Sequence, residues 1–140
     1  MVRIRPFQPD DTTDVIDLWR QCELVIRLNN PERDIQLKVA HDAQNLLVAT
    51  IDEQLIGTVM AGYEGHRGWI NYLAVSPFHR YQGIGRILMN AAEEKLRAQG
   101  CPKINLQIRV HNQEAINFYK AIGFKVDAVI GMGKRLNEPS

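Results

Sequence analysis

This sequence of 140 residues has only two cysteines, a net charge close to zero and no long apolar run. Its two cysteines, Cys22 and Cys101, form no Cys-x-x-Cys pair and no metal-ligand spacing, so we expect free thiols, which suit the cytoplasm, and no metal. Lysine and arginine total 17 against 16 acidic residues, without the basic excess typical of nucleic-acid-binding proteins. No apolar run is long enough for a membrane helix, and Met1 to Pro6 lacks the apolar core of a signal peptide. We therefore expect a cytoplasmic protein that binds neither nucleic acid nor a membrane.

The remaining composition is that of an ordinary globular domain. Apolar residues make up 45% of the chain and charged residues 24%, both common values. A chain of this length can bury roughly two-thirds of its unfolded surface, which is enough for one core. No internal repeat, low-complexity segment or linker divides the sequence, so we expect a single domain over residues 1–140.

Hydrophobic periodicity predicts an α+β domain with elements in the order β-α-α-β-β-β-α-β-α-β-β. Leu46 to Ile51, Leu55 to Tyr63 and Trp69 to Val75 are predicted to form three consecutive antiparallel strands. Apolar residues from Ile84 to Gln99 recur at steps of three and four, which predicts a helix packed on the core. The other predicted elements are a strand at Val2 to Pro6, helices from Asp10 or Asp11 and from Asn30 to His41, a strand at Ile104 to Val110, a helix at Glu114 to Ile122 and two strands between Phe124 and Leu136.

The turn between the third strand of this group and the following helix lacks the usual capping side chain. It reads Arg80-Tyr-Gln-Gly83-Ile-Gly85-Arg86, with arginines at its two edges. Uncapped backbone N–H groups at a helix start form an anion site, and glycine lets an oxyanion approach closely and permits left-handed φ values. The physical interpretation is a cradle for a pyrophosphate, although a simple tight turn would also explain a Gly-x-Gly pair.

Three phosphate-binding motifs compete for this turn. A P-loop requires GxxxxGK[ST], which Gly83 to Leu88 does not match. A dinucleotide-binding fold requires a third small residue where Leu88 stands, and an acid about 20 residues later, where the chain has Asn105 and Gln107. The third motif fits: Arg80-x-x-Gly83-x-Gly85, directly after Leu-Ala-Val-Ser-Pro, resembles the acetyl-coenzyme A signature of the GNAT superfamily of N-acetyltransferases.

A second motif follows the strand predicted at Ile104 to Val110. Asn112-x-x-Ala115-x-x-x-Tyr119-x-x-x-Gly-Phe124 resembles the second motif of the same superfamily. Taken alone, Asn112 is more simply a helix cap and Tyr119 a packing residue, but both motifs occur in the expected order on the expected elements. Three further segments resemble small bacterial members of the superfamily: Gly57 to Gly68, Gly100 to Ile104 and Gly133 to Leu136.

The resemblance implies a mixed, mostly antiparallel sheet with a central splayed parallel pair and about four helices. It implies acetyl-coenzyme A as cosubstrate, direct acetyl transfer to an amine of a small molecule or peptide, and compatibility with a homodimer. Leu73 would direct a backbone N–H at the developing oxyanion, and Tyr119 would protonate the departing thiolate. The cofactor-binding residues implied are Leu73, Ala74, Val75, Arg80, Tyr81, Gln82, Gly83, Ile84, Gly85, Arg86, Asn112, Ala115 and Phe118.

The sequence defines the acceptor side less well. The resemblance implies that Glu23 to Pro31 recognises the acceptor, with Arg27, Asn29 and Asn30 facing it together with Asn71 from outside the segment, and Arg27 could hold a carboxylate. A solvent-facing helix end with Asn30 as its cap explains the segment equally well.

No general base is assigned. Glu64, His66 and Arg67 lie on a turn roughly 20 Å from Leu73 along an extended strand, so we expect a solvated loop. Asn71 and Tyr72 lie closer, but neither is a good base at neutral pH. Two other functions remain open: a non-catalytic sensor of acetyl-coenzyme A, and an acyltransferase for a longer acyl chain.

Overall fold

A computed structural model of the protein describes residues 1–137. The order of its helices and strands matches the predicted order as far as the fourth helix. The elements are β1 (Arg3–Pro6), α1 (Thr12–Gln21), α2 (Pro31–Asp42), β2 (Leu46–Ile51), β3 (Gln54–Tyr63), β4 (Gly68–Val75), α3 (Ile84–Ala98), β5 (Ile104–Leu106) and α4 (Gln113–Ala121).

The strands form one mixed sheet in the order β1-β2-β3-β4-β5. The pairs β1–β2, β2–β3 and β3–β4 are antiparallel, and β4 and β5 form a parallel pair. A two-residue turn at Asp52 and Glu53, both with positive φ, joins β2 to β3. The predicted α+β fold, with a mostly antiparallel sheet and one parallel pair, is confirmed.

Helices cover both faces of this sheet. Gly57 and Thr58 are consecutive in β3, so they point to opposite faces. Thr58 accepts a hydrogen bond from Trp19 of α1, whereas a Cβ at Gly57 would meet Leu88 of α3. This part of the chain therefore has three layers, with α1 on one face of the sheet and α3 on the other, and Trp19 and Leu88 are both fully buried.

The strand predictions in the last third of the chain are confirmed only in part. The strand predicted at 104–110 ends at Leu106, and the described part of 124–136 contains no strand. Val126, Ile130 and Met132 are largely exposed there, so they gain little from packing. Strand formation depends on pairing and on burial of one face, so apolar β-formers alone do not produce a strand.

The described residues form two compact units that divide between Asn105 and Leu106. The first unit carries β1 to β4, the helices α1 to α3 and the glycine turn. The second carries α4 with Asn112 and Tyr119. Within residues 1–137 no helix is long and apolar enough to cross a membrane.

Candidate active site

The connection from β4 to α3 begins with a single 3-10 turn at Pro77–His79. The side chain of Ser76 caps this turn by accepting a hydrogen bond from the backbone N–H of Phe78. The backbone N–H of Ser76 in turn donates to the carbonyl of Ile56 at 2.8 Å. The start of the connection is thus fixed to the neighbouring strand β3.

The glycine turn that follows has two left-handed residues, Tyr81 with φ 65° and Gly83 with φ 78°. Gly83 is the N-cap of α3, and no side chain caps the helix. A Cβ at Gly83 would meet nothing within 4 Å, so the surface beside it is open. Gly85 is not among the residues with positive φ, so its contribution is the absence of a side chain in the first turn.

These features give the start of α3 the properties that favour anion binding. The first backbone N–H groups of a helix have no intrahelical partner, and the helix dipole adds partial positive charge at this end. Arg80 and Arg86 are exposed at the two edges of the turn and supply further positive charge. The prediction of an uncapped helix start is confirmed.

A β-bulge interrupts β4 shortly before this turn. Met60 pairs with Asn71 and Thr58 with Ala74, so Tyr72 and Leu73 together stand opposite one residue of β3, Val59. Tyr72 has φ 51°, a left-handed conformation that is uncommon for a bulky side chain. The bulge therefore takes Leu73, the residue expected to face the thioester, out of the regular ladder.

The other edge of β4 is only partly covered. The three residues of β5 pair at the Gly68 end of β4, where the N–H of Gly68 donates to the carbonyl of Lys103 at 2.8 Å. Three residues can cover no more than that end of an eight-residue strand. The last residues of β4, including Ala74 and Val75, therefore have no paired strand on this side within the described residues.

The side chain of Tyr72 is held by residues that the sequence did not indicate. Its ring stacks on Trp19 with a centroid distance of 3.7 Å, and its hydroxyl donates to Asp34 Oδ2 at 2.6 Å. Burial, together with the hydrogen bond to Asp34, raises the pKa of Tyr72 well above its ordinary value. Asp34 and Trp19 lie far from Tyr72 in the sequence, so no local motif could have linked them.

The side chain of Glu64 stabilises the turn in which it lies. One carboxylate oxygen of Glu64 accepts hydrogen bonds from the backbone N–H groups of Arg67 and His66, and these bonds lower the pKa of Glu64. An exposed carboxylate engaged in this way closes the turn between β3 and β4. The structure agrees with the expectation of a solvated loop at Glu64 and His66.

In the second unit, Asn112 caps α4. Its Oδ1 accepts a hydrogen bond of 3.0 Å from the backbone N–H of Ala115, which confirms the simpler interpretation of this asparagine. A hydrogen bond from Asn112 to a ligand would therefore come from its Nδ2 group. Ala115 and Phe118 on the same helix are both half-buried.

Tyr119 lies between two other aromatic rings at the end of α4. Phe118 and Phe124 make edge contacts with its ring at centroid distances of 5.1 and 5.5 Å. Gly123, with φ 104°, ends the helix, and the N–H of Phe124 donates back to the Tyr119 carbonyl at 2.9 Å. The Gly-Phe pair of the second motif thus places a ring against Tyr119, and burial raises the pKa of Tyr119 to about 12.

The predicted acceptor-facing residues are all at least partly accessible to solvent. Arg27 and Asn71 are exposed, and Asn29 is half-buried. Asn30 accepts a hydrogen bond of 3.1 Å from the backbone N–H of Arg33, so its role as the cap of α2 is confirmed. A contact of Arg27, Asn29 or Asn71 with an acceptor stays a prediction.

A strand followed directly by an uncapped helix start is the arrangement that the sequence predicted for an acetyl-coenzyme A-dependent transferase, and the bulge in that strand is a feature that only the structure shows. The sequence pattern of the Acetyltransferase (GNAT) family matches residues 12–124. The chain therefore belongs to this family, and it is an acetyltransferase.

Individual relatives agree with this assignment. The chain is 44% identical over 138 residues to "Acetyltransferase SG1711" of Sodalis glossinidius (strain morsitans), which covers 98% of this chain and 97% of that protein. Its fold is similar to that of Ard1 from Thermoplasma volcanium, with a TM-score of 0.83 and 26% identity over 91% of this chain and 84% of the other. It is also similar to AAC(6')-Iy in complex with the bisubstrate analog CoA-S-monomethyl-acetylneamine, with a TM-score of 0.79 and 20% identity over 96% of this chain and 99% of the other.

Proposed function

We propose that this acetyltransferase moves the acetyl group of acetyl-coenzyme A directly to the amine of a small molecule or peptide. The observation that carries the proposal is the uncapped start of α3, with left-handed Gly83, placed directly after the bulged strand β4. We further propose that residues 1–140 act as one domain in the cytoplasm, and that the chain is related to the small bacterial acetyltransferase YpeA, which the three glycine-bounded segments resemble. A homodimer is compatible with the proposal.

The coenzyme would bind along the end of β4 and the glycine turn. The pyrophosphate would accept hydrogen bonds from the backbone N–H groups between Gln82 and Arg86, with Arg80 balancing its charge. The pantetheine arm would pair with the uncovered edge of β4 near Leu73 and Val75. Support comes from the open surface at Gly83 and from the CoA conjugate bound to the similar AAC(6')-Iy fold.

The chemistry would be one displacement at the thioester carbonyl. The amine nitrogen forms a bond to the carbonyl carbon, the carbon–sulfur bond breaks, and the amine proton leaves to solvent. A backbone N–H at the β4 bulge near Leu73 would stabilise the oxyanion that develops between these events.

Tyr119 would interact with the departing sulfur. The raised pKa of its hydroxyl determines whether it transfers a proton or only donates a hydrogen bond. Proton transfer from a phenol with a pKa of about 12 to the thiolate of a thiol with a pKa of about 8.5 is unfavourable by about 5 kcal/mol. The hydroxyl stays protonated across the whole neutral range. We therefore propose that Tyr119 stabilises the thiolate as a hydrogen-bond donor in the transition state and that solvent completes the proton transfer.

The test combines binding with a screen of acceptors. Acetyl-coenzyme A should raise the melting temperature, because a ligand selective for the native state stabilises it by about 2.7 kcal/mol at a hundredfold excess over Kd. NAD and ATP should raise it much less. Thiol release is then measured with amines, amino acids and peptides bearing free N-termini. Binding without acceptor-dependent thiol release would indicate a sensor, and no thermal shift at millimolar coenzyme would contradict the proposed site.

A further inference from the structure

A connected set of buried side chains fixes the conformation of the β4 bulge. The indole N–H of Trp19 donates to Thr58 Oγ1 at 2.9 Å, and the Thr58 hydroxyl donates to the backbone carbonyl of Tyr72 at 2.8 Å. The ring of Tyr72 stacks on the same indole, with only 9° between the two planes. Asp34 of α2 accepts the hydroxyl hydrogen bond of Tyr72. Three elements, α1, α2 and β3, therefore hold a single residue of β4 at both its backbone and its side chain.

Tyr72 requires this support because its backbone conformation is unfavourable. A φ of 51° suits glycine, and a bulky residue adopts it only where the surrounding structure compensates. The bulge also removes the Tyr72 carbonyl from the regular hydrogen-bond ladder of the sheet. The carbonyl accepts a hydrogen bond from the Thr58 hydroxyl instead. Thr58 and Trp19 are both fully buried, so water does not replace this hydrogen bond.

We propose that Trp19, Thr58 and Asp34 are positioning residues that hold Tyr72 in its left-handed conformation and thereby aim the backbone N–H of Leu73 at the thioester oxygen. The peptide plane between Tyr72 and Leu73 carries both the carbonyl that Thr58 binds and the N–H of Leu73. Because a peptide unit is planar, fixing the carbonyl oxygen fixes the direction of the N–H on its opposite side. The inference rests on the proposed acetyl transfer and adds the residues that prepare its oxyanion site.

The chain offers a matched pair of substitutions at Thr58. Thr58→Val has nearly the same shape but removes the hydroxyl, so the Tyr72 carbonyl loses its partner. Thr58→Ser keeps the hydroxyl and loses only a methyl group. We expect Thr58→Val to lower kcat ten- to a hundredfold, the usual scale for a misplaced catalytic group, while Thr58→Ser stays within about threefold of wild type. In Thr58→Val the Kd for coenzyme A should rise by a smaller factor than kcat falls, because the bulge would supply only part of the contacts with the pantetheine arm and the proposed pyrophosphate cradle lies at the start of α3.

A second pair of substitutions tests Asp34. Asp34→Asn keeps an oxygen that accepts from the Tyr72 hydroxyl, whereas Asp34→Ala removes the acceptor. A positioning role predicts nearly wild-type kcat for Asp34→Asn and a loss of about tenfold for Asp34→Ala. Equal losses in both variants would show that the negative charge acts directly, and would overturn the positioning role of Asp34.

Hydrogen exchange reports how stably the bulge is held, independently of catalysis. Peptides covering Trp69 to Ser76 should exchange faster in Thr58→Val than in Thr58→Ser or the wild type. Wild-type kcat in a folded Thr58→Val variant, or unchanged exchange in this segment, would overturn the inference. If the wild-type protein itself transfers no acetyl group, the proposed function fails separately, and the exchange experiment alone decides whether Thr58 holds the bulge.

Discussion

Gly57 of β3 lies directly against Leu88 of α3. A Cβ at position 57 would lie 2.9 Å from Leu88 Cδ1 and 3.1 Å from the carbonyl oxygen of Ala74, which is closer than side chains pack. We expect Gly57→Ala to destabilise the protein by about 1–3 kcal/mol, because the fully buried Leu88 side chain must leave its packed position and the backbone of β4 must shift slightly. Urea unfolding measures the change. Gly133→Ala is the matched control, since a Cβ there meets nothing within 4 Å, and equal stability of the two variants would contradict the close contact.

Gly85→Val tests the pyrophosphate cradle. The added β-branched side chain would fill the space in front of the first turn of α3, so we expect coenzyme A to bind at least about tenfold more weakly, a loss of about 1.4 kcal/mol. Calorimetric titration gives the Kd, and circular dichroism confirms that the helix persists. Leu37→Val, which alters an exposed side chain of α2 in the same unit, should bind as the wild type does. Unchanged affinity in Gly85→Val would mean that the glycine turn has no role in binding.

Tyr119→Phe separates the hydroxyl from the ring. The ring contacts with Phe118 and Phe124 survive the change, so the fold should be kept, and loss of the hydrogen bond to the thiolate should lower the rate of acetyl transfer by roughly 10²-fold. Single-turnover kinetics report that step even when product release limits kcat. A burst rate equal to that of the wild type would remove Tyr119 from the mechanism.

Alkaline pH should weaken the fold through Tyr119. Its pKa is raised to about 12 in the folded protein, whereas an unfolded tyrosine titrates near 10, so the unfolded chain loses this proton first. The stabilisation linked to the Tyr119 proton is complete below pH 10 and is lost as the pH rises from about 10 to 12. Urea midpoints measured from pH 8 to 12 should fall less steeply for Tyr119→Phe than for the wild type. Parallel curves for the two proteins would contradict a raised pKa.

The sequence by itself predicted the elements that depend on short-range patterns. Runs rich in Leu, Val, Ile and Thr define β2 and β3, and the spacing of apolar residues from Ile84 onward defines α3 within one residue at its end. The uncapped start of α3 was also predictable, because the absence of a capping side chain is a local property of Arg80 to Arg86. The same holds for Asn30 and Asn112, whose caps involve N–H groups three residues away.

Only the tertiary structure decided the features that depend on partners distant in the chain. The strand predicted after Ile104 ends at Leu106, since pairing, rather than β-propensity, sets the length of a strand. The bulge at Tyr72 gives no sequence signal, because its left-handed conformation is held by Trp19, Thr58 and Asp34, which lie 14 to 53 residues away. Local sequence fixes where a helix begins, but the strained conformation of a tyrosine within a strand exists only after three other elements have packed around it.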